Sequence, residues 1–139
     1  MTTAQQAAMD AALNQHYAAE AARDLDGLLA NLSDDVVHDV VGDPSGALRS
    51  REAIRQRYQT LFQDLHEESI TPIRRLYGDG FVVDEAVWRG KAVGQPFGIE
   101  GRGRPLEFRV LHVCEVADGK LTSEQVWLDM GSVMQQLMG

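Results

Sequence analysis

Met9, Leu13, Tyr17 and Ala21 recur every four residues, which lays one apolar stripe along a first helix. Asp24 stands where it can cap a second, shorter helix whose Leu25, Leu28, Leu29 and Leu32 share a face, and Ser33-Asp34-Asp35 stops it. The run Val36-Val37-His38-Asp39-Val40-Val41 is short and β-branched, which suits a buried strand. Gly42-Asp43-Pro44-Ser45-Gly46 is a loop by its turn chemistry. Ser50 can cap a third helix with Glu52 in its first turn, and Ile54, Tyr58, Leu61, Phe62 and Leu65 follow at helical spacing.

The period changes after Leu65. Segments near Ser69 to Tyr77 and Phe81 to Lys91 read as strands joined by Gly78-Asp79-Gly80. A glycine-rich connection from Gly94 to Gly103 leads to a long strand near Leu106 to Val116. Ala117-Asp118-Gly119-Lys120 predicts a hairpin, since glycine accepts the positive φ that a twisted two-residue turn demands. A last strand runs from about Leu121 to Met130, with a short helical tail behind it. Helices first and an antiparallel meander afterwards predict an α+β fold, in one domain over 1–139.

Composition narrows the partners. The 21 acidic residues against 13 basic ones give a net charge of −8, without a Lys/Arg stripe, so nucleic acid and anionic membrane are poor partners. No apolar run reaches the ~18 residues of a membrane span, and the first twenty residues lack the apolar core of a secretory signal, so a cytoplasmic location is expected. Cys114 is the single cysteine, which excludes an internal disulfide and a thiolate cluster; it sits among apolar strand neighbours without a positioned base. His16, His38, His66 and His112 show no HxxxH spacing, so no metal site is expected. Gly101-Arg102-Gly103-Arg104-Pro105 is neither a dinucleotide fingerprint nor a P-loop.

Two stretches resemble a known superfamily. Asp24-Leu25-Asp26-Gly27-Leu28-Leu29, Leu32-Ser33-Asp34-Asp35-Val36-Val37 and Ser50-Arg51-Glu52-Ala53-Ile54 are similar to the front half shared by ketosteroid isomerases and SnoaL-like proteins. Trp88-Arg89-Gly90-Lys91, Gly94, Phe97-Gly98, Gly101-Arg102-Gly103, Ala117-Asp118-Gly119-Lys120-Leu121, Asp129 and Gln135-Gln136-Leu137-Met138-Gly139 resemble SnoaL-type polyketide cyclases. The resemblance implies an NTF2-like cone, in which N-terminal helices pack on a curved, mostly antiparallel sheet around one pocket. It also implies a homodimer and a small apolar or polycyclic ligand. Such a fold serves many functions, so the reaction has to come from the site.

On a last strand, Gln125, Trp127 and Asp129 share one face and Glu124, Val126 and Leu128 the other. If the first set lines an apolar pocket, Asp129 is desolvated and its proton affinity rises. The resemblance gives Asp129 the general acid/base role of an aldol closure; the alternative is a strand-end carboxylate that faces solvent or caps the tail helix. His112 lies mid-strand and could assist proton transfer or orient a carbonyl, although it points away from the pocket if Leu111 and Val113 point in. Asp39 and Tyr17 resemble the proton-shuttling aspartate and oxyanion-binding tyrosine of ketosteroid isomerases, but the position of the second donor of that chemistry holds Leu111. His38 and Asp39 alternate, so one of them faces inward and the pattern does not choose. Tyr58, Trp88, Phe97, Phe108 and Trp127 are candidate walls for a flat ligand, with ordinary core packing the alternative for the Trp and Phe residues, and Arg109 is a candidate partner for an ester or carboxylate oxygen. Pieces of the Asp-Arg-Asp constellation of limonene-epoxide hydrolases are present in Arg89, Arg109 and Asp129, without a second acid beside either arginine. The expectation is a cofactor-free cyclase or isomerase acting on an apolar carbonyl compound. The alternatives are a non-catalytic binder of a hydrophobic metabolite, a ketosteroid-isomerase-like or epoxide-hydrolase-like enzyme, and an interaction module using the outer sheet face.

Overall fold

Thr2 opens the first helix with a capping box: its hydroxyl accepts from the Gln5 N–H, and the Gln5 side chain accepts from the Thr2 N–H. Helix α1 spans Thr3–Ala21 in the computed structural model, which describes residues 1–139. Its buried face runs through Met9, Ala12, Leu13, His16 and Ala19, so the stripe is rotated toward His16 and leaves Ala21 exposed. Asp24 caps α2 (Leu25–Ala30) and Ser50 caps α3 (Arg51–Asp64), each side chain accepting a backbone N–H three residues on.

Five strands follow or interleave: β1 (Leu32–Val40), β2 (Leu65–Gly78), β3 (Phe81–Ala92), β4 (Arg104–Ala117) and β5 (Lys120–Leu128), before α4 (Met130–Met138) closes the chain. They form one sheet in the order β1-β5-β4-β3-β2, with β1 parallel to β5 and every other pair antiparallel. The four helices pack on this open, curved, mixed sheet in an α+β arrangement. Three boundaries differ from the periodicity, one being the end of β5 at Leu128, which leaves Asp129 as the cap of α4 and Met130 as its first residue. Leu32 starts β1 instead of ending α2, because it pairs with Leu121 of β5. Strand β2 begins at Leu65, directly where α3 stops, because Leu65 to Glu67 pair with Ala92 to Gly90. The β4–β5 hairpin has positive φ at both Asp118 (52°) and Gly119 (75°), the backbone of a type I′ turn.

The inward faces carry two separate apolar clusters. One joins Met9, Leu13, Leu28, Val36 and Ile54 to Val82 and Cys114; the other joins Trp88, Leu106, Phe108 and Val110 to Val133 and Leu137 of α4. Alternation along β3 and β4 puts Asp84 and His112 between these clusters, since Val82, Asp84 and Ala86 share a face, as do Val110, His112 and Cys114. No helix is long and apolar enough to cross a membrane.

Candidate functional site

The β4–β5 register decides which face of β5 looks inward. Val110 lies opposite Leu128, His112 opposite Val126, and Cys114 opposite Glu124. Glu124, Val126 and Leu128 therefore face the helices, and Glu124 is 1% exposed. Trp127 is 47% exposed on the outer face. Asp129 lies just past β5, exposed, and its Oδ1 accepts the Ser132 N–H at 3.3 Å as the N-cap of α4. The expectation that Asp129 is desolvated beside Trp127 in the pocket is thus corrected: the alternation of Val126 and Leu128, not the aromatic neighbour, marks the buried face.

A cavity of about 230 Å³ opens between α3 and the sheet. Its walls are mainly apolar, from Leu61, Leu65, Ile70, Val110, Val126 and Leu128, together with Trp88 stacked on Phe108 at 4.9 Å between ring centres. Pro96 and Phe97 stand at its edge, Phe97 partly exposed. His38, Tyr58, His112, Glu124 and Glu20 also line it, so a polar cluster meets an apolar chamber.

Glu124 is the hub of that cluster. Its Oε1 accepts from Tyr58 Oη at 2.6 Å and lies 2.9 Å from His38 Nε2. Its Oε2 lies 2.8 Å from His16 Nε2 and 3.8 Å from His112 Nε2. Burial pushes the Glu124 carboxyl up, but the charge of His16 and the contact with His38 outweigh it and hold the group well below the usual range. Burial likewise disfavours charging His16; Glu124 and Glu20 reverse this and push its pKa up to about 10, so an imidazolium faces a carboxylate in the core. Burial and the neighbouring charge of Glu124 raise the Tyr58 hydroxyl well above its ordinary value, so it stays a donor. Arg57 donates to His38 Nδ1 at 3.1 Å, which makes that nitrogen an acceptor and leaves the proton on Nε2, toward Glu124.

His112 is held differently. Tyr17 Oη donates to Asp84 Oδ1 at 2.6 Å and stands 3.0 Å from His112 Nδ1. With the tyrosine proton spent on Asp84, His112 Nδ1–H donates to Tyr17, and its Nε2 carries a free lone pair. Asp84 is anchored in turn by Arg75 Nε at 2.7 Å. Burial lowers the His112 pKa, against the raising effect of Glu124, so the ring is neutral near pH 7. Burial also raises the Cys114 thiol well above its ordinary value, which leaves it unreactive.

Of the side chains singled out in the sequence, the structure brings His38, Tyr58, Trp88, Phe97 and His112 to the cavity and puts Tyr17 directly behind His112. It faces His112 inward without a bulge at that position. His38 is the inward member of its pair, buried and bridged to Leu48, while Asp39 is only half-buried and off the cavity. Arg109 pairs with Glu85, and Arg89 with Glu107 at 2.7 Å, both arginines being exposed, so the arginines and Asp129 do not converge on the chamber. The periodicity missed Glu124, Asp84, His16, Glu20 and Arg57. The available signal was a charged residue in step with an apolar strand face: Asp84 with Val82, Ala86 and Trp88, and Glu124 with Val126 and Leu128.

The family model of SnoaL-like polyketide cyclases matches residues 10–137. No curated protein matches the sequence significantly. Among solved structures, the chain is similar to an LEH-like epoxide hydrolase of M. tuberculosis, with 20% identity, TM-score 0.72 and coverage of 94% of this chain and 89% of that one. It is similar to TsrD of Streptomyces laurentii, with 20% identity, TM-score 0.79 and coverage of 94% and 95%. A Catenulispora acidiphila protein of ketosteroid isomerase-like fold, in complex with trimethylamine, shares 18% identity at TM-score 0.74, covering 91% and 92%. At these identities the likeness speaks for the fold alone.

Proposed function

The chain belongs to the SnoaL-like polyketide cyclase family, and from that premise we propose that it is a small-molecule cyclase or isomerase in which His112, not Asp129, moves the proton. One observation carries this reading: the Asp84–Tyr17–His112 chain holds the Nδ1 side of an imidazole that lines a mainly apolar cavity, which leaves Nε2 as the unprotonated nitrogen. A positioned neutral imidazole is a general base; burial lowers the proton affinity of His112, and the nearby Glu124 carboxylate works against that lowering. It would take a proton from carbon next to a carbonyl and return it to the alkoxide of a ring closure, or to another carbon in an isomerisation. The imidazolium formed on the way is stabilised by Glu124 Oε2, 3.8 Å from Nε2, and by Asp84 through Tyr17.

The donors around His112 say something about the substrate. Tyr17, Tyr58 and His38 each spend their proton on a buried carboxylate, so none of the three is free to meet a developing oxyanion. The site therefore suits carbon acids that spread their own negative charge, such as β-dicarbonyl or aryl-conjugated ketones. A chamber of about 230 Å³ is smaller than the ~300–1,000 Å³ that takes drug-sized ligands, which favours one or two rings over a large polycycle.

Deuterium uptake by β-tetralone in D₂O, followed by NMR, tests this reading with a two-ring aryl-activated ketone. The native protein is expected to accelerate exchange at the activated carbon, and His112→Gln to lose at least ~100-fold of that rate, the low end of general-base contributions, while still perturbing the ligand's spectrum. Retained exchange in the variant would remove His112 from the mechanism. Binding without exchange in the native protein would leave a ligand-binding protein of the same fold.

A further inference from the structure

We propose that His16 Nε2, His112 Nε2 and Glu124 Oε2 form a site for one divalent transition-metal ion, and that the ion competes with the substrate's proton for His112. The three atoms lie within 4.8 Å of one another, and all three residues are buried. Ligands on a tetrahedral ion with bonds of about 2.0–2.2 Å sit about 3.3–3.6 Å apart. The separations of 2.8 Å from Glu124 to His16 and 3.8 Å from Glu124 to His112 bracket that spacing, and the two imidazole nitrogens lie within 4.8 Å of each other.

His16 supplies the independent sign of a missing partner. It is fully buried on α1, yet its Nε2 has no hydrogen bond of acceptable direction, although Glu124 and Glu20 lie 2.8 and 3.3 Å away. A buried nitrogen surrounded by carboxylate oxygens but aligned with none of them is placed as a metal ligand would be; on binding, the ion displaces the His16 proton to solvent and takes its place as the positive charge facing Glu124 and Glu20. The supporting shell fits at two of the three ligands, while His16 Nδ1 is buried without a hydrogen-bond partner. His112 offers Nε2 because Nδ1–H is committed to Tyr17, and the orientation of Glu124 is fixed by Tyr58 and His38 at Oε1, which leaves Oε2 available. His38 is excluded as a ligand, since its Nδ1 accepts from Arg57 and its Nε2–H points at Glu124. Glu20, with Oε2 at 3.3 Å from His16, is the nearest fourth ligand.

Two imidazoles and a carboxylate with an open side suit Zn²⁺, Co²⁺, Fe²⁺ or Ni²⁺ rather than Ca²⁺ or Mg²⁺, which prefer all-oxygen shells. The ligands come from α1, β4 and β5, which is why no short histidine spacing announces them. Coordination occupies the Nε2 lone pair, so the loaded protein should be inactive as a base. That consequence rests on the acid/base reading above; the binding site does not.

Zn²⁺ binding to the full, chelator-treated chain by calorimetry, with the visible absorption of the Co²⁺ form as a second readout, tests the site without substrate. The expected result is one ion per chain, with affinity reduced by roughly 100-fold or more in both His16→Asn and His112→Gln and unchanged in His66→Gln, an exposed histidine that is not among the proposed ligands. Circular dichroism of each variant guards against loss of the fold, and the two ligand variants, on different elements, check each other. No stoichiometric binding by the native chain, or binding retained in both ligand variants, would overturn the site. Exchange of β-tetralone is expected to stop on Zn²⁺ loading; exchange that persists in the loaded protein would overturn the competition. If the metal-free chain binds Zn²⁺ but never exchanges β-tetralone, the base assignment fails and the metal site stands.

Discussion

Replacing Glu124 by Gln changes one oxygen to an amide nitrogen, at a carboxylate that three side chains contact within 3 Å. The amide oxygen can still accept from Tyr58 and His38 if it takes the place of Oε1. The NH₂ group then faces His16 Nε2, at what was a 2.8 Å ion pair, and the imidazolium loses its main counter-charge. His16 is held protonated up to about pH 10 chiefly against its own burial. Giving up that proton near pH 7 costs about 1.4 kcal/mol per unit, or about 4 kcal/mol. Removing one member of a buried pair costs about 3–5 kcal/mol by experience with other proteins, which agrees. A domain of this size has about 5–15 kcal/mol in total, so the midpoint in urea should fall by roughly 2 M for a slope near 2 kcal/mol/M. A double-mutant cycle with His16→Asn should show a coupling of at least about 2 kcal/mol, because the second substitution removes the charge that the first leaves unpaired. A loss below about 1 kcal/mol for Glu124→Gln, or additivity in the cycle, would mean that no ion pair of this kind exists in the core.

Three further outcomes follow from the same geometry. Asp129→Asn should leave β-tetralone exchange unchanged, because the side chain caps α4 outside the cavity, whereas Asp129→Ala should lose about 1 kcal/mol of stability in a urea titration. Gly90→Ala should lower stability by about 1–3 kcal/mol or more in the same measurement, since a Cβ there would collide with the His66 carbonyl of the paired strand. Glu67 is half-buried; burial first, and then the charge of Glu20, push its carboxyl up to about 7 from 4.5. The folded chain then holds a proton that the unfolded chain releases, so its contribution is full below about pH 4.5 and is lost as pH rises through 7. Glu67→Gln should be relatively more stable at pH 8 than at pH 5 by about 1–2 kcal/mol after allowance for solvent screening, read from melting temperatures at the two pH values.

The sequence made the architecture legible because its punctuation is local. Asp24 and Ser50 cap where they stand, and Asp118-Gly119 turns where it stands, each through contacts within three or four residues. The site was legible only in part, since it depends on strand parity and register, and these are set by distant partners. Trp127 drew Asp129 to the wrong face, while the modest pair Val126 and Leu128 marked the right one and carried Glu124 with it. His112 faces inward because β4 pairs with both β3 and β5 in a register that puts it beside Asp84 and Val126, information that spans some thirty residues on one side. The helix stripe misled by about one position for a similar reason: His16 is polar, so it broke the apolar rhythm at the place where α1 meets Glu124.

The central claim is that His112 offers an unprotonated Nε2 to the cavity with its proton held on Nδ1 by Tyr17 and Asp84. Nitrogen-15 NMR of the imidazoles at pH 7 reads this directly, because protonated and unprotonated ring nitrogens resonate far apart. The expected spectrum for His112 has Nδ1 as the protonated nitrogen and Nε2 as a free acceptor, and Tyr17→Phe should let the other tautomer appear. An imidazolium at His112, or a proton resident on Nε2 in the native chain, would contradict the mechanism at its root.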